Sequence, residues 1–209
     1  TPRGSVLVSG RYGYPGLILS LLAPDAGLSY WDYQSRATYR LSDRDILSVF
    51  AFGSHDAIST RGEDEDGEKE AELHEVLGIE FHRIDLRWDR RTSASGSLRT
   101  ALTVGYDKTG SDAFAARSYL MGARVLAAER ISKMAQIRVG ADSWLQSYDF
   151  RVSSARNATL GLEATGSTAP SIQKDANLGI YIDVPLDLSS RVKLTPGIRG
   201  DVFTSRVID

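Results

Sequence analysis

Several short patterns in this sequence carry residue types that could do chemistry. The run Glu63-Asp64-Glu65-Asp66-Gly67-Glu68 offers carboxylates to a calcium ion. With Gly67 as the sixth position of an EF-hand loop, however, Gly62 falls first and Leu73 twelfth, where carboxylates are required. The run reads instead as a solvated loop. Ser54-His55-Asp56 holds the residue types of a hydrolytic triad, yet neighbours in an extended strand point to opposite sides and a triad must converge in space. His55, His74 and His82 lack metal-ligand spacing. Asn157-Ala158-Thr159 matches a glycosylation sequon to which no role is assigned. No catalytic residue, metal or cofactor is expected, and the chain does not read as an enzyme.

One further set has a regular placement. Asp32, Arg36, Arg83, Asp85, Arg87, Arg99, Arg138, Asp142, Arg199 and Asp201 each alternate with apolar neighbours. If the segments that carry them are strands, these charges share one face and line a wet interior where a bound molecule could pair with them. The plainer alternative is cross-strand pairing that stabilises the wall, contributing about 0.2–1 kcal/mol per pair.

The segments have the required period of two. In 97–107, Leu98, Leu102, Val104 and Tyr106 oppose Arg99, Thr103, Gly105 and Asp107; in 79–90, His82, Ile84, Leu86 and Trp88 oppose Arg83, Asp85, Arg87 and Asp89. The same sorting marks 5–14, 30–41, 118–128, 135–146, 176–186 and 192–204. In 46–54 it is ambiguous, because Leu47, Val49 and Ala51 form one face and Phe50 and Phe52 lie on the other. The first set is taken as outward. The expected fold is all-β: an antiparallel up-and-down meander of about nine strands, forming one transmembrane β-barrel segment over 1–209. Links at 15–27, 55–77, 108–115 and 147–174 are long and alternate with short ones at 42–45, 91–96, 129–133 and 187–190, as in outer-membrane barrels. A nine-strand meander has first and last strands running the same way, so a regular antiparallel seam is not expected.

Alternation alone does not say whether the apolar face meets lipid or a soluble core. Aromatic placement favours lipid: Tyr12, Tyr14, Trp31, Tyr33, Tyr106 and Tyr119 lie toward the long links, and Tyr39 and Trp88 toward the short ones, as interfacial girdles would. Composition agrees, since 42% hydrophobic residues and a mean hydropathy of -0.23 suit a barrel whose strands are half polar. No run approaches the ~18 apolar residues of a spanning helix. The net charge of -2 and the absence of cysteine give no footprint for nucleic acid, no disulfide and no thiolate metal site. Thr1 stands where a leader would begin, so a secretory signal is expected to be removed or to lie outside this sequence.

Three stretches carry a resemblance: Gly10-Arg11-Tyr12-Gly13-Tyr14; the strand Tyr30-Trp31-Asp32-Tyr33-Gln34 with Asp45-Ile46-Leu47-Ser48-Val49-Phe50-Ala51-Phe52-Gly53-Ser54; and Leu194-Thr195-Pro196-Gly197-Ile198-Arg199-Gly200-Asp201. They resemble barrel hairpins of TonB-dependent outer-membrane receptors. That resemblance implies a 22-stranded barrel around a plug, driven by an energy-coupling protein, in the outer membrane of a Gram-negative bacterium. Nine strands cover only part of such a barrel, and neither a plug nor an energy-coupling box is present in these residues. The implied function is therefore that of a barrel segment whose full-length parent imports a scarce ligand of the siderophore, cobalamin or glycan class. Outer-membrane lipid is the direct partner expected; the plug and energy-coupling protein enter only through the parent. A small stand-alone outer-membrane pore or structural barrel is the alternative, and a soluble β-barrel ligand binder the third reading.

Overall fold

The computed structural model describes residues 3–13, 16, 21–63, 69–111, 114–152 and 171–208. Tyr14, most of the acidic run and the Asn157 sequon lie outside the described residues. No helix among them is long and apolar enough to cross a membrane.

The strands are β1 (Gly4–Tyr12), β2 (Ala26–Arg40), β3 (Asp45–Glu63), β4 (Lys69–Arg91), β5 (Gly96–Gly110), β6 (Phe114–Arg130), β7 (Gln136–Val152), β8 (Ser171–Asp183), β9 (Leu186–Asp187), β10 (Lys193–Leu194) and β11 (Gly197–Ile208). Nine of them form one antiparallel sheet in the order β1-β2-β3-β4-β5-β6-β7-β8-β11, so each strand pairs with its neighbour in the chain. The two-residue β9 and β10 form a separate hairpin in the last short link. Pro185 and Pro196 flank that hairpin; lacking an N–H, a proline cannot donate to a ladder. The sheet stays open, with β1 and β11 at its edges.

The strands run well past the spans expected at their long-link ends. β3 and β4 continue through most of 55–77, with register shifts between Ile58 and Ser59 and between Arg61 and Glu63. Alternation needs unlike media on the two faces of a strand. Beyond a bilayer both faces meet water, so the pattern fades while the backbone ladder continues.

Register joins the local patterns into two continuous faces. Directly paired residues point to the same side of an antiparallel sheet. From β2 onward, Ala37 pairs with Val49, Val49 with Leu86, Leu86 with Leu102, Leu102 with Ala123, Ala123 with Ser143, Ser143 with Leu178 and Leu178 with Val202. That row settles the ambiguous strand: Leu47, Val49 and Ala51 belong to the apolar face, while Phe50 and Phe52 stack on the other at 5.0 Å.

Nothing among the described residues covers the apolar face. Val104 is 46% exposed, Ile180 62% and Met121 62%, and among the described residues only Ala57 and Ala101 are buried hydrophobics. Leu98 to Tyr106 spans roughly 27 Å along the strand at ~3.4 Å per residue, enough for the ~25 Å apolar band of such barrels once strand tilt is allowed for.

Candidate functional site: the charged face of the sheet

Period two places all ten charges picked out from the sequence on the face opposite the apolar rows, and the structure pairs nearly all of them. Asp32 accepts from Arg11 Nε at 2.8 Å and from the Tyr30 hydroxyl. Arg83 makes a bidentate contact with Asp107 at 2.8 and 2.9 Å, and Ser118 donates to the same carboxylate at 2.9 Å. Asp85 accepts from Thr103 at 2.8 Å. Asp89 serves two guanidinium groups, Arg87 at 2.9 Å and Arg99 at 2.6 Å. Arg138 reaches Asp183 at 2.5 Å. Arg36 shares a cavity with Ser48, Phe50, Asp85 and Arg87.

Arg199 is the hub of the densest cluster. Its two terminal nitrogens grip Asp142 at 2.7 and 2.8 Å, and its Nε donates to both oxygens of Asp201 at 2.9 and 3.0 Å. Its guanidinium lies 5.6 Å from the Tyr181 ring centroid, a cation–π distance. Tyr181 in turn covers Gly140, its direct partner on β7, where any side chain would collide with the ring. A planar fork satisfying two carboxylates while stacked on an aromatic face is a task for arginine and not for lysine.

Sequence reasoning singled out the arginines but omitted several partners: Arg11, Tyr30, Asp89, Asp107, Ser118, Tyr181 and Asp183. All lie on the same parity, so the signal existed; choosing among them required the register. A second omission was Asp175, buried at 9% exposure, which accepts from Ser205 at 2.6 Å and from Gln173 at 3.0 Å. Tyr148 and Phe150 stack on each other at 5.9 Å on β7.

The apolar face carries the girdle. Trp31, Tyr33, His82, Tyr106 and Tyr119 form a chain of rings across β2 to β6, with successive centroids 5.3 to 6.4 Å apart. His55 and His82, read from the sequence as residues without a metal role, belong to this belt. His55 lies 5.7 Å from Trp31. The Tyr33 hydroxyl is 3.0 Å from His82 Nδ1, and His82 Nε2 is 2.8 Å from Glu80. Ser54 and Asp56 point away from His55, so no triad forms. Among the described residues, no group of three or more His, Asp or Glu side chains is placed to hold a metal.

Gly53 makes the belt possible. A Cβ there would sit 2.5 Å from His82 Nδ1 and 2.9 Å from Tyr33 Cε1. Gly53→Val is expected to break the Tyr33–His82 contact and to cost about 1–3 kcal/mol by overpacking. Trp31 emission and the denaturation midpoint in detergent check it.

At the short-turn rim, Trp88 Nε1 donates to Asp45 at 3.0 Å and Arg90 stacks on the indole at 5.7 Å. The Ser42 hydroxyl, with Trp88 and Arg90, holds the Asp45 carboxyl below the usual carboxylate range against the opposing effect of desolvation.

Arg99 offers a contrast with Arg199. It is 54% exposed and Asp89 keeps Arg87 when it is lost. Arg99→Ala is expected to cost under about 1 kcal/mol, read as an unchanged yield of membrane-assembled protein.

The arrangement offers a lining of fixed charge and hydroxyl groups on one side and a lipid-compatible surface on the other. No protein-family model matches the sequence. No curated protein matches it either. Solved structures do match in fold. The ferric enterobactin receptor of Pseudomonas aeruginosa superposes with a TM-score of 0.67 at 13% identity, over 99% of this chain and 36% of that one. The alcaligin outer membrane receptor FauA of Bordetella pertussis gives 0.65 at 12% identity, over 99% and 32%. The siderophore receptor PirA of Acinetobacter baumannii gives 0.63 at 12% identity, over 98% and 35%. The chain spans about a third of the length of these receptors. It has the fold of a segment of the β-barrel of TonB-dependent outer-membrane receptors.

Proposed function

We propose that this chain is a transmembrane wall segment of an outer-membrane receptor whose full-length form imports a scarce ligand. The observation that carries the reading is the exposed, predominantly apolar face across nine registered strands, edged from β2 to β6 by the aromatic belt and backed by a charged face. Unpaired strand edges are untenable in hydrocarbon, so β1 and β11 take partners from further strands, and an even barrel requires an odd number of them. The charged face then lines the lumen, where Arg199, Asp142 and Arg83 stand toward whatever fills it. A plug and an energy-coupling protein are partners of the full-length form in this reading, located in the outer membrane of a Gram-negative bacterium. The ligand class is siderophore, cobalamin or glycan, and the ligands of the structural neighbours put siderophores first.

The test is uptake in the native organism with the encoding gene deleted. Labelled ferric siderophores, cobalamin and an oligosaccharide are supplied in turn, with and without a protonophore. Loss of energised uptake of one class supports the proposal; unchanged uptake of all three contradicts it.

A further inference from the structure

The lumen face is not neutralised evenly. On β7, β8 and β11 its arginines are paired within the wall, Arg138 with Asp183 and Arg199 with Asp142 and Asp201. At the short-turn ends of β1 to β4 they are not. Arg3 stands opposite Arg40, whose N–H donates to the Arg3 carbonyl at 2.7 Å, and Arg44 stands opposite Arg91, whose N–H donates to the Arg44 carbonyl at 2.8 Å. Like charges placed directly opposite are destabilising. None of these four arginines has a carboxylate partner among the described residues. Nearby carboxylates are committed elsewhere: Asp89 to Arg87 and Arg99, and Asp45, on the other face, to Ser42 and Trp88.

The turns that carry these residues enclose a space. Between 42–45 and 92–96, on the lumen side, lies a cavity of about 950 Å³, within the ~300–1,000 Å³ of small-molecule sites. Arg40, Arg44, Arg90, Arg91 and Arg99 line it against Asp43 and Asp89, so it carries an excess of positive charge. The backbone below it is fixed, because the Ser42 hydroxyl accepts the N–H groups of Arg44 and Asp45 at 3.1 Å each. Arg91 is anchored across the opening by its bond to the Asp43 carbonyl at 2.6 Å. Arg40, Arg44 and Arg91 come from three successive strands, about 10 Å from first to last at ~4.8 Å per strand.

We propose that this cavity binds a small multivalent oxyanion, a polycarboxylate or a phosphate, at the periplasmic end of the wall, with Arg40, Arg44 and Arg91 donating to it. The planar guanidinium fork matches the paired oxygens of either group. An anion between opposed arginines replaces their repulsion by charge-assisted contacts. The site rests on the receptor reading given above, which makes it the last wall contact of an imported ligand before the periplasm. Among the ligand classes named there, it favours one with several negative charges over an uncharged glycan.

The experiment uses the full-length protein purified from outer membranes in non-ionic detergent. Binding of citrate, of pyrophosphate and of an uncharged oligosaccharide is measured by calorimetry for the wild type, for R40Q/R44Q/R91Q, and for K133Q on the β6–β7 turn outside the cavity. The wild type and K133Q should bind both anions saturably, more weakly at high salt, and should not bind the oligosaccharide. The triple variant should bind the anions about tenfold more weakly. Equal anion binding by all three proteins, or equal binding of the oligosaccharide, overturns the proposal. Should the triple variant fail to assemble, wild-type protein is treated with phenylglyoxal and each arginine is followed by peptide mass spectrometry. Citrate should protect Arg40, Arg44 and Arg91 and leave Arg191 reactive; no protection, or equal protection of Arg191, overturns the site. Arg40, Arg44 and Arg91 that stay unreactive without citrate until salt is raised are held by carboxylates of the protein's own plug, which also overturns it. These failures leave the barrel reading intact, because the protein still comes from the membrane. Protein recovered in the soluble fraction removes both.

Discussion

Replacing Val104 by arginine is expected to abolish stable membrane assembly. Val104 sits mid-strand on β5, directly paired with Ile84 on one side and Met121 on the other, at the centre of the apolar band. It is 46% exposed with no protein layer over it. An arginine at the bilayer midplane of a β-barrel costs about 2–4 kcal/mol, which lowers the assembled fraction by roughly 30- to 800-fold. Ile180→Arg, three strands away on the same face, should behave alike. Thr103→Arg should be far milder, because Thr103 points to the charged side, where its hydroxyl donates to Asp85. The yield of heat-modifiable protein in outer-membrane fractions measures all three, and equal yields would contradict the orientation of the faces.

Loss of Arg199 is the second large effect. It strips two carboxylates of their shared cation, leaving Asp142 and Asp201 to repel each other on one face, and it uncovers Tyr181. Hydrogen bonds to charged groups contribute about 1.5–3 kcal/mol each, but this site is 42% exposed, and water takes over part of that. Arg199→Ala is therefore expected to lower the urea midpoint, though by less than the same bonds would contribute away from water. Arg199→Lys should recover only part of the loss, because an ammonium cannot grip both carboxylates and stack on the ring. Urea midpoints of the membrane-embedded protein read the difference. A lysine variant as stable as wild type would show that the fork geometry is immaterial.

How much of this was legible in the sequence depended on the medium at each residue. Leu98 to Tyr106 could be assigned to faces directly, since lipid and lumen impose opposite demands on successive residues there. Beyond the belt, at Ile58-Ser59-Thr60, the strand continues with no such demand, and the sequence reads as a loop. The β3 faces were undecidable locally, because Phe50 and Phe52 are as apolar as Val49. Only the pairing of Val49 with both Ala37 and Leu86 assigns them. The site shows the same limit. Arg99 and Arg87 were visible as charges of the right parity, but it is the β4–β5 register that sets Asp89, two residues after Arg87, directly opposite Arg99. His55 and His82 offered no spacing signal, since their belt is assembled from separate strands.

The central claim is that one face of the sheet meets lipid and the other a wet interior, and the absence of cysteine makes it directly measurable. Single cysteines at Leu102, Thr103, Val104 and Gly105 are spin-labelled in the full-length protein in native-composition vesicles, any cysteine outside these 209 residues being replaced by serine. Collision rates with oxygen and with a water-soluble nickel chelate are then compared. The account predicts strict alternation, with positions 102 and 104 open to oxygen and closed to the chelate and position 103 the reverse. Labels at 102 and 104 immobilised and shielded from both reagents would place the apolar face in a protein core and contradict it.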